Sequence, residues 1–315
     1  MSELTRAAIL FLSVTQFVLG LLGNAFIGWV NGSRWFKSKK ISLSDFVITS
    51  LALSRITLLW ILLVDCLVRG YLHSIYASDT TTQLIDTFWT FTNSLSIWLA
   101  TCLSVLYCLK IASFSHHVFL WLKWRVHRVI VWLLLGALVL SCSSVLSLMR
   151  EFKAYYVLRG LSAENMTEHF RKQEVVYELV HVLGLLWDLP PLIVSLASYV
   201  LLILSLGRHT RRMQQHGASS SDPSTEAHKK AIKMILSFLF LFLVYFLSFL
   251  IASSSYFIPG TELTKMVMVA LTMFYPAGHS FILILGNNKL KQTFVELLWC
   301  EPARLTPVSR RRLSP

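Results

Sequence analysis

Charged residues are scarce in this sequence: Asp, Glu, Lys and Arg make up 14% of its 315 residues, against roughly 25% in soluble domains. Hydrophobic residues reach 55% and the mean hydropathy is +0.61, so the chain has too little polar surface to cover a water-soluble fold. Acids are the scarcer sign, 16 against 29 Lys and Arg. The positive excess forms no single basic face. It falls in short clusters between apolar runs, which argues against nucleic acid as a partner and for membrane topology. Cysteine is sparse too. Of Cys66, Cys102, Cys108, Cys142 and Cys300, only Cys66 lies near the expected outer surface, so no extracellular disulfide pair is predicted. The cysteine spacings match no zinc or haem pattern, and no metal or cofactor is expected.

What the sequence has instead is apolar length. A bilayer core about 30 Å thick takes roughly 20 mostly apolar helical residues, and such runs recur at about 7–30, 44–67, 85–110, 129–149, 179–205, 231–258 and 264–285. The first is too long for the core of a secretory signal and is read as a retained helix. Seven spans put the termini on opposite sides. With the N-terminus outside, 20 of the 29 Lys and Arg fall in inner segments and eight in outer ones, leaving Arg55 within a span; the positive-inside rule favours that orientation. Asn165-Met166-Thr167 is a glycosylation sequon in the longest outer loop, whereas Asn31-Gly32-Ser33 falls in a basic inner segment that no glycosyltransferase reaches. The expectation is one all-α, seven-transmembrane helix bundle over 1–315, with 1–6 extracellular and 286–315 a cytoplasmic tail, in the plasma membrane and in contact with its lipids.

Several residues are out of place in a membrane. Arg55 sits roughly 15 Å along its helix from both Asp45 and Asp65, so burying it costs at least ~2.5–3.5 kcal/mol unless it turns inward. Asn24, His279 and Ser280 are its partners at plausible depth, either as a fixed tie or as one that rearranges on activation. Trp89 and Asn93 stack on one face of the third span. They read either as one wall of a ligand pocket or as a belt aromatic beside an interhelical hydrogen-bond donor. Pro190, Pro191 and Pro276 each remove a backbone hydrogen bond and predict bends in the fifth and seventh spans. At the inner end of the third span Tyr107 and Lys110 lie one turn apart. Together with His209, His228 and the basic residues around the third inner loop they make a candidate coupling surface, or passive anchors to anionic lipid.

Several strings taken together resemble the type 2 taste receptors. They are Leu51-Ala52-Leu53-Ser54-Arg55, Leu106-Tyr107-Cys108-Leu109-Lys110-Ile111-Ala112, Leu202-Ile203-Leu204-Ser205-Leu206, His279-Ser280-Phe281-Ile282-Leu283 and Gly286-Asn287-Asn288-Lys289-Leu290-Lys291. Two positions depart from the family pattern: Leu106 stands for Phe, and Ser280 for a Pro whose loss removes a bend beside Pro276. The resemblance implies a G-protein-coupled receptor that binds small bitter agonists and activates a gustducin-type heterotrimeric G protein, raising calcium through phospholipase C. It implies that Trp89, Asn93, Tyr245 and Val269 contact ligand, that Asn165 carries glycan, and that Arg55, Tyr107, Lys110, Leu204, Ser205 and His279 form the inner switch motifs.

An enzyme is excluded because His279 and Ser280, being adjacent, project about 100° apart and form no base and nucleophile pair. An opsin would need a lysine deep in the seventh span, where only Lys265 lies nearby, at its mouth. A small-solute transporter is the alternative that topology allows, but paired half-repeats and a chain of intramembrane acids are missing. With Val269 in the seventh span, the deep pocket lacks an evident carboxylate there, so neutral or weakly basic ligands are expected, although Asp65 and Asp86 near the mouth are placed to attract cations.

Overall fold

The computed structural model describes residues 3–71, 79–161, 187–209, 211, 223–254 and 262–298. Every regular element among them is a helix: α1 Glu3–Ser38, α2 Leu43–Tyr71, α3 Asp79–Ile111, α4 His117–Trp124, α5 Val126–Leu161, α6 Trp187–His209, α7 Pro223–Ser254, α8 Glu262–Gly286 and α9 Asn288–Leu298. The seven expected spans are α1, α2, α3, α5, α6, α7 and α8. Six of them are long and apolar enough to cross a bilayer; in α7 the described apolar stretch, Ile232–Ser248, is shorter than the helix that carries it.

The helices overrun the expected spans, because a helix need not end where its apolar face does. Asn31 and Arg34, expected in an inner loop, lie inside α1. That helix stops at Lys39, whose φ of 50° breaks the ladder. Local polar groups then start the next elements: Ser42 Oγ accepts from the Asp45 N–H at 3.1 Å ahead of α2, and Asn287 Oδ1 accepts from the Lys289 N–H at 3.0 Å ahead of α9. Residues 3–6 of the expected N-terminal segment are helical, as is 288–298 of the expected tail. Pro190 and Pro191 lie within the described α6, which is helical from Trp187 to His209; the part of the expected fifth span before them, 179–186, lies outside the described residues. Pro276 lies within an α8 that continues to Gly286.

Around the bundle, α5 packs on α3, α3 on α2, α2 on α1, α1 on α8 and α8 on α7. The ring closes through α6: Thr101 and Ser195 share a hydrogen bond of 2.8 Å, and Leu192 packs with Ile97, Leu241 and Tyr245. Apolar side chains cover the outside, with Phe11, Trp132 and Phe240 at 75%, 72% and 66% exposure, a surface that hydrocarbon tolerates and water does not. At one end, called here the α9 end, Arg34 donates to the Lys289 carbonyl at 3.3 Å and Lys110 donates to Ser44 Oγ at 3.2 Å, joining α1 to α9 and α3 to α2.

Helices α1, α2 and α8 approach closely because of small residues. A Cβ added at Gly20 would stand 2.7 Å from Leu59 Cδ1 and 3.2 Å from Ala277 Cα, whereas one at Gly28 would meet nothing within 4 Å. Gly20→Ala should therefore destabilise the bundle by about 1–3 kcal/mol, the usual cost of overpacking. Thermal unfolding of purified protein in nanodiscs should show a lower midpoint for Gly20→Ala and an unchanged one for Gly28→Ala.

Candidate functional site

The site is built from α2, α3, α6, α7 and α8. Arg55, at the middle of α2, is 0% exposed, and its Nη1 lies 2.7 Å from Nδ1 of His279. A guanidinium only donates, so Nδ1 accepts and a neutral His279 carries its proton on Nε2. The guanidinium carbon stands 5.0 Å from the centre of the Tyr275 ring, a cation–π contact. The imidazole is sandwiched: Phe238 of α7 lies 4.5 Å away and Tyr275 5.4 Å away, centroid to centroid. Arg55 thus finds one of its three expected partners. Asn24 turns elsewhere, donating to the Gly20 carbonyl at 2.8 Å and the Pro276 carbonyl at 3.2 Å. Ser280 donates to the Ala277 carbonyl at 2.7 Å and lies against Gly23; it keeps the backbone N–H that the family's proline would remove.

A second cluster is joined to the first. The Tyr245 hydroxyl donates to Asn93 Oδ1, tying α7 to α3, and the Tyr245 ring lies 4.9 Å from that of Tyr275 at an interplanar angle of 37°. A continuous path therefore runs from Asn93 through Tyr245 and Tyr275 to Arg55 and His279. Asn93 is an interhelical partner, as one of the two readings had it, though as acceptor; its Nδ2 is left for a further bond. Trp89, one turn away on α3, and Val269 on α8 pack on the same apolar cluster of Phe17, Leu58, Leu59, Leu62, Leu63 and Met273. The four expected ligand residues thus form two groups that meet on α3.

Sequence reasoning missed two members. Tyr275 joins both clusters; its signal was the spacing of four to His279, which puts the rings on one helix face. Asp188 was not singled out, and it adds a carboxylate on α6, whereas the expectation concerned the seventh span at Val269. It sits one turn before Leu192, which packs with Ile97 and Tyr245, just as Asn93 sits one turn before Ile97. The carboxylate is 7% exposed and within electrostatic reach of the Tyr245 hydroxyl. No cation among the described residues lies within ion-pair distance of it.

At the α9 end, Tyr107 is partly buried against the core and Lys110 is exposed, bonded to Ser44. Leu204 is exposed on α6, while Ser205 is buried and accepts from the Ser113 N–H at 2.8 Å, fixing the segment after α3. His209 is exposed near the end of α6. His228 falls on α7, with its side chain outside the described ones, and Asn165 lies outside the described residues. Asn31 is buried in α1 and donates to Thr49 Oγ1 at 3.0 Å, so this sequon is closed to modification.

Removing the acceptor from a buried guanidinium leaves a donor unsatisfied. His279→Leu should lower stability by ~1–3 kcal/mol, and adding Arg55→Leu should restore part of that loss. A double-mutant cycle on unfolding of the purified variants should give a coupling of about 0.5–3 kcal/mol; additive losses would separate the two residues.

Residues 1–302 match the family described as Taste receptor protein (TAS2R). The chain is 65% identical over 311 residues, 98% of each chain, to Taste receptor type 2 member 3 of Homo sapiens. It is 58% identical over 308 residues, 98% of each chain, to the protein of that name in Rattus norvegicus, and 57% over 302 residues, 96% of each, to that of Mus musculus. These matches cover every span, and they support neither a transporter nor an enzyme. The chain belongs to the TAS2R family, and it is a bitter taste receptor of the seven-helix, G-protein-coupled class.

Proposed function

We propose that this receptor lies in the plasma membrane with residues 1–6 outside and 286–315 in the cytoplasm, the whole of 1–315 forming one receptor domain. In this reading it binds bitter agonists between α3, α6, α7 and α8 and activates a gustducin-type G protein, leading to phospholipase C and calcium release. The observation that carries it is the hydrogen bond between Tyr245 and Asn93. It closes two helices over a polar and aromatic cluster that touches the buried Arg55 centre, so a ligand inserted there acts on both. Trp89 offers a stacking surface and Val269 an apolar one, and Asn93 Nδ2 donates to the ligand. Of the neutral or weakly basic ligands expected from the sequence, Asp188 favours the basic ones, as protonated amines. At the α9 end Tyr107, Lys110, Leu204, Ser205, His209 and His228 contact the G protein, and Lys289 and Lys291 meet anionic lipid headgroups.

Cells co-expressing the chain with a gustducin-type G protein should release calcium to micromolar bitter compounds. At matched surface expression, Asp188→Asn should weaken amine agonists by the ~1.5–3 kcal/mol of a charged hydrogen bond, about 13- to 160-fold, and leave neutral agonists within a few-fold. Asn93→Ala should weaken polar agonists by about 2- to 13-fold, unequally between chemically distinct ligands. Equal shifts for every agonist would reduce both residues to packing. G-protein-independent solute uptake in place of calcium release would return the transporter.

The proposed orientation has its own check. Asn165→Gln should abolish a glycosidase-sensitive mass shift and lower surface expression, while Asn31→Gln should leave the shift intact; loss of the shift with Asn31→Gln would invert the topology.

A further inference from the structure

A cavity of about 400 Å³ lies on the flank of the bundle where α7 passes α8, lined by Lys233, Leu236, Ser237, Phe240, Leu241 and Ile282. Its volume is within the roughly 300–1,000 Å³ of small-molecule sites. Lys233, Leu236, Ser237 and Phe240 follow an i, i+3, i+4, i+7 spacing, which puts them on one face of α7 over about 10 Å of its length. Leu241 and Ile282 of α8 close the inner wall, packed on one apolar cluster. The outer side is open, with Leu236 and Phe240 at 47% and 66% exposure. Lys233 stands at one end of this groove. It is the second residue of the apolar stretch Ile232–Ser248, next to Met234, whose Sδ a Cβ added at Gly286 would overlap; the charged end of the groove is therefore its α9 end. Among the described residues no carboxylate lies within ion-pair distance of Lys233. Ser237 adds no second donor, because its hydroxyl proton goes to the Lys233 carbonyl at 2.9 Å.

We propose that this groove binds one anionic phospholipid from the leaflet at the α9 end, its phosphate on Lys233 and one acyl chain laid over Leu236, Phe240, Leu241 and Ile282. The lining runs in the order of such a lipid. A single ammonium sits where the helices leave hydrocarbon, and beyond it the surface is apolar apart from Ser237, whose proton is already spent. A lysine at that depth extends its charge to the headgroup layer while its stem stays against apolar surface, and it draws a negative headgroup in preference to a zwitterionic one. A sterol hydroxyl in the same place would leave the charge unanswered. The chain lies along the seam of α7 and α8: Ile282 follows His279 by three residues, and Phe238, whose ring is 4.5 Å from that of His279, follows Ser237. Occupancy therefore stabilises the arrangement that keeps Phe238 on His279. That the α9 end is cytoplasmic rests on the orientation proposed above; the site itself does not.

The test uses the full chain in phosphatidylcholine nanodiscs that contain a minor fraction of phosphatidylserine with a diazirine on its acyl chain. Both leaflets then offer the lipid, so the orientation of the receptor does not enter. After irradiation, peptide mapping should find adducts on Leu236, Phe240 or Ile282 several-fold above those from the matching diazirine phosphatidylcholine, and Lys233→Gln should bring the two lipids level. Equal labelling of these residues by both lipids in the wild-type chain would reduce the groove to a contact with bulk lipid and overturn the proposal. So would a phosphatidylserine preference that persists in Lys233→Gln, or one lost instead in Lys291→Gln, which would put the headgroup on α9. Unlabelled phosphatidylserine should also raise the thermal unfolding midpoint of the wild-type chain by about 2–4 °C, and that of Lys233→Gln by less; equal rises would overturn the stabilising role.

Discussion

A guanidinium placed at mid-membrane cannot be left to hydrocarbon, and the contact between Arg55 and His279 at 2.7 Å is how this bundle accommodates it. The charge fixes the rotation of α2, because Arg55 has to face inward. It fixes the register of α8, because His279 has to meet it at the same depth. The close approach of α1 follows. With α2 and α8 drawn together, only glycine fits at positions 20 and 23, where a Cβ would press on Leu59, Ala277 and Ser280. Asn24, freed from Arg55, instead bonds across to the Pro276 carbonyl and secures α1 to α8 at the proline.

In the proposed reading, the same centre gives the ligand region its leverage. Tyr275 presents its ring to the guanidinium and to Tyr245, and Tyr245 is held by Asn93. A ligand inserted near Asn93 would therefore perturb a contact chain that crosses four helices. Phe238 of α7 lies against His279 on the far side, so a rotation of α7 moves both ends of the chain together. Aromatic contacts and one hydrogen bond, each worth around 1 kcal/mol, lie here in series beside a charge whose partners cannot be exchanged cheaply, which are the physical ingredients of a two-state element.

Much of this was legible in the sequence. The apolar runs fixed the number of spans, Arg55 identified itself by standing alone in one, and His279 was among its named partners because depth along a helix can be counted from the ends. Rotation about each helix axis was harder to count. Asn24 and Ser280 share the depth of His279 but bond elsewhere, and Tyr275 became visible as the joining residue only when α7 and α8 were seen packed. Asp188 is hard to read for a different reason: a single carboxylate on α6 beside two prolines belongs to no chain of acids and no recurrent spacing that would mark it. Helix ends were misjudged where capping side chains such as Ser42 and Asn287, rather than hydropathy, set the boundary.

The most direct measurement is a structure of the receptor bound to an amine bitter agonist and a gustducin-type G protein. The account predicts the ligand between Trp89 and Tyr245, its ammonium at Asp188 and a polar atom at Asn93, with the stacking of Tyr245 on Tyr275 altered from 4.9 Å. An agonist bound elsewhere, with the Tyr245 to Asn93 bond and that ring pair unchanged in the G-protein complex, would contradict it.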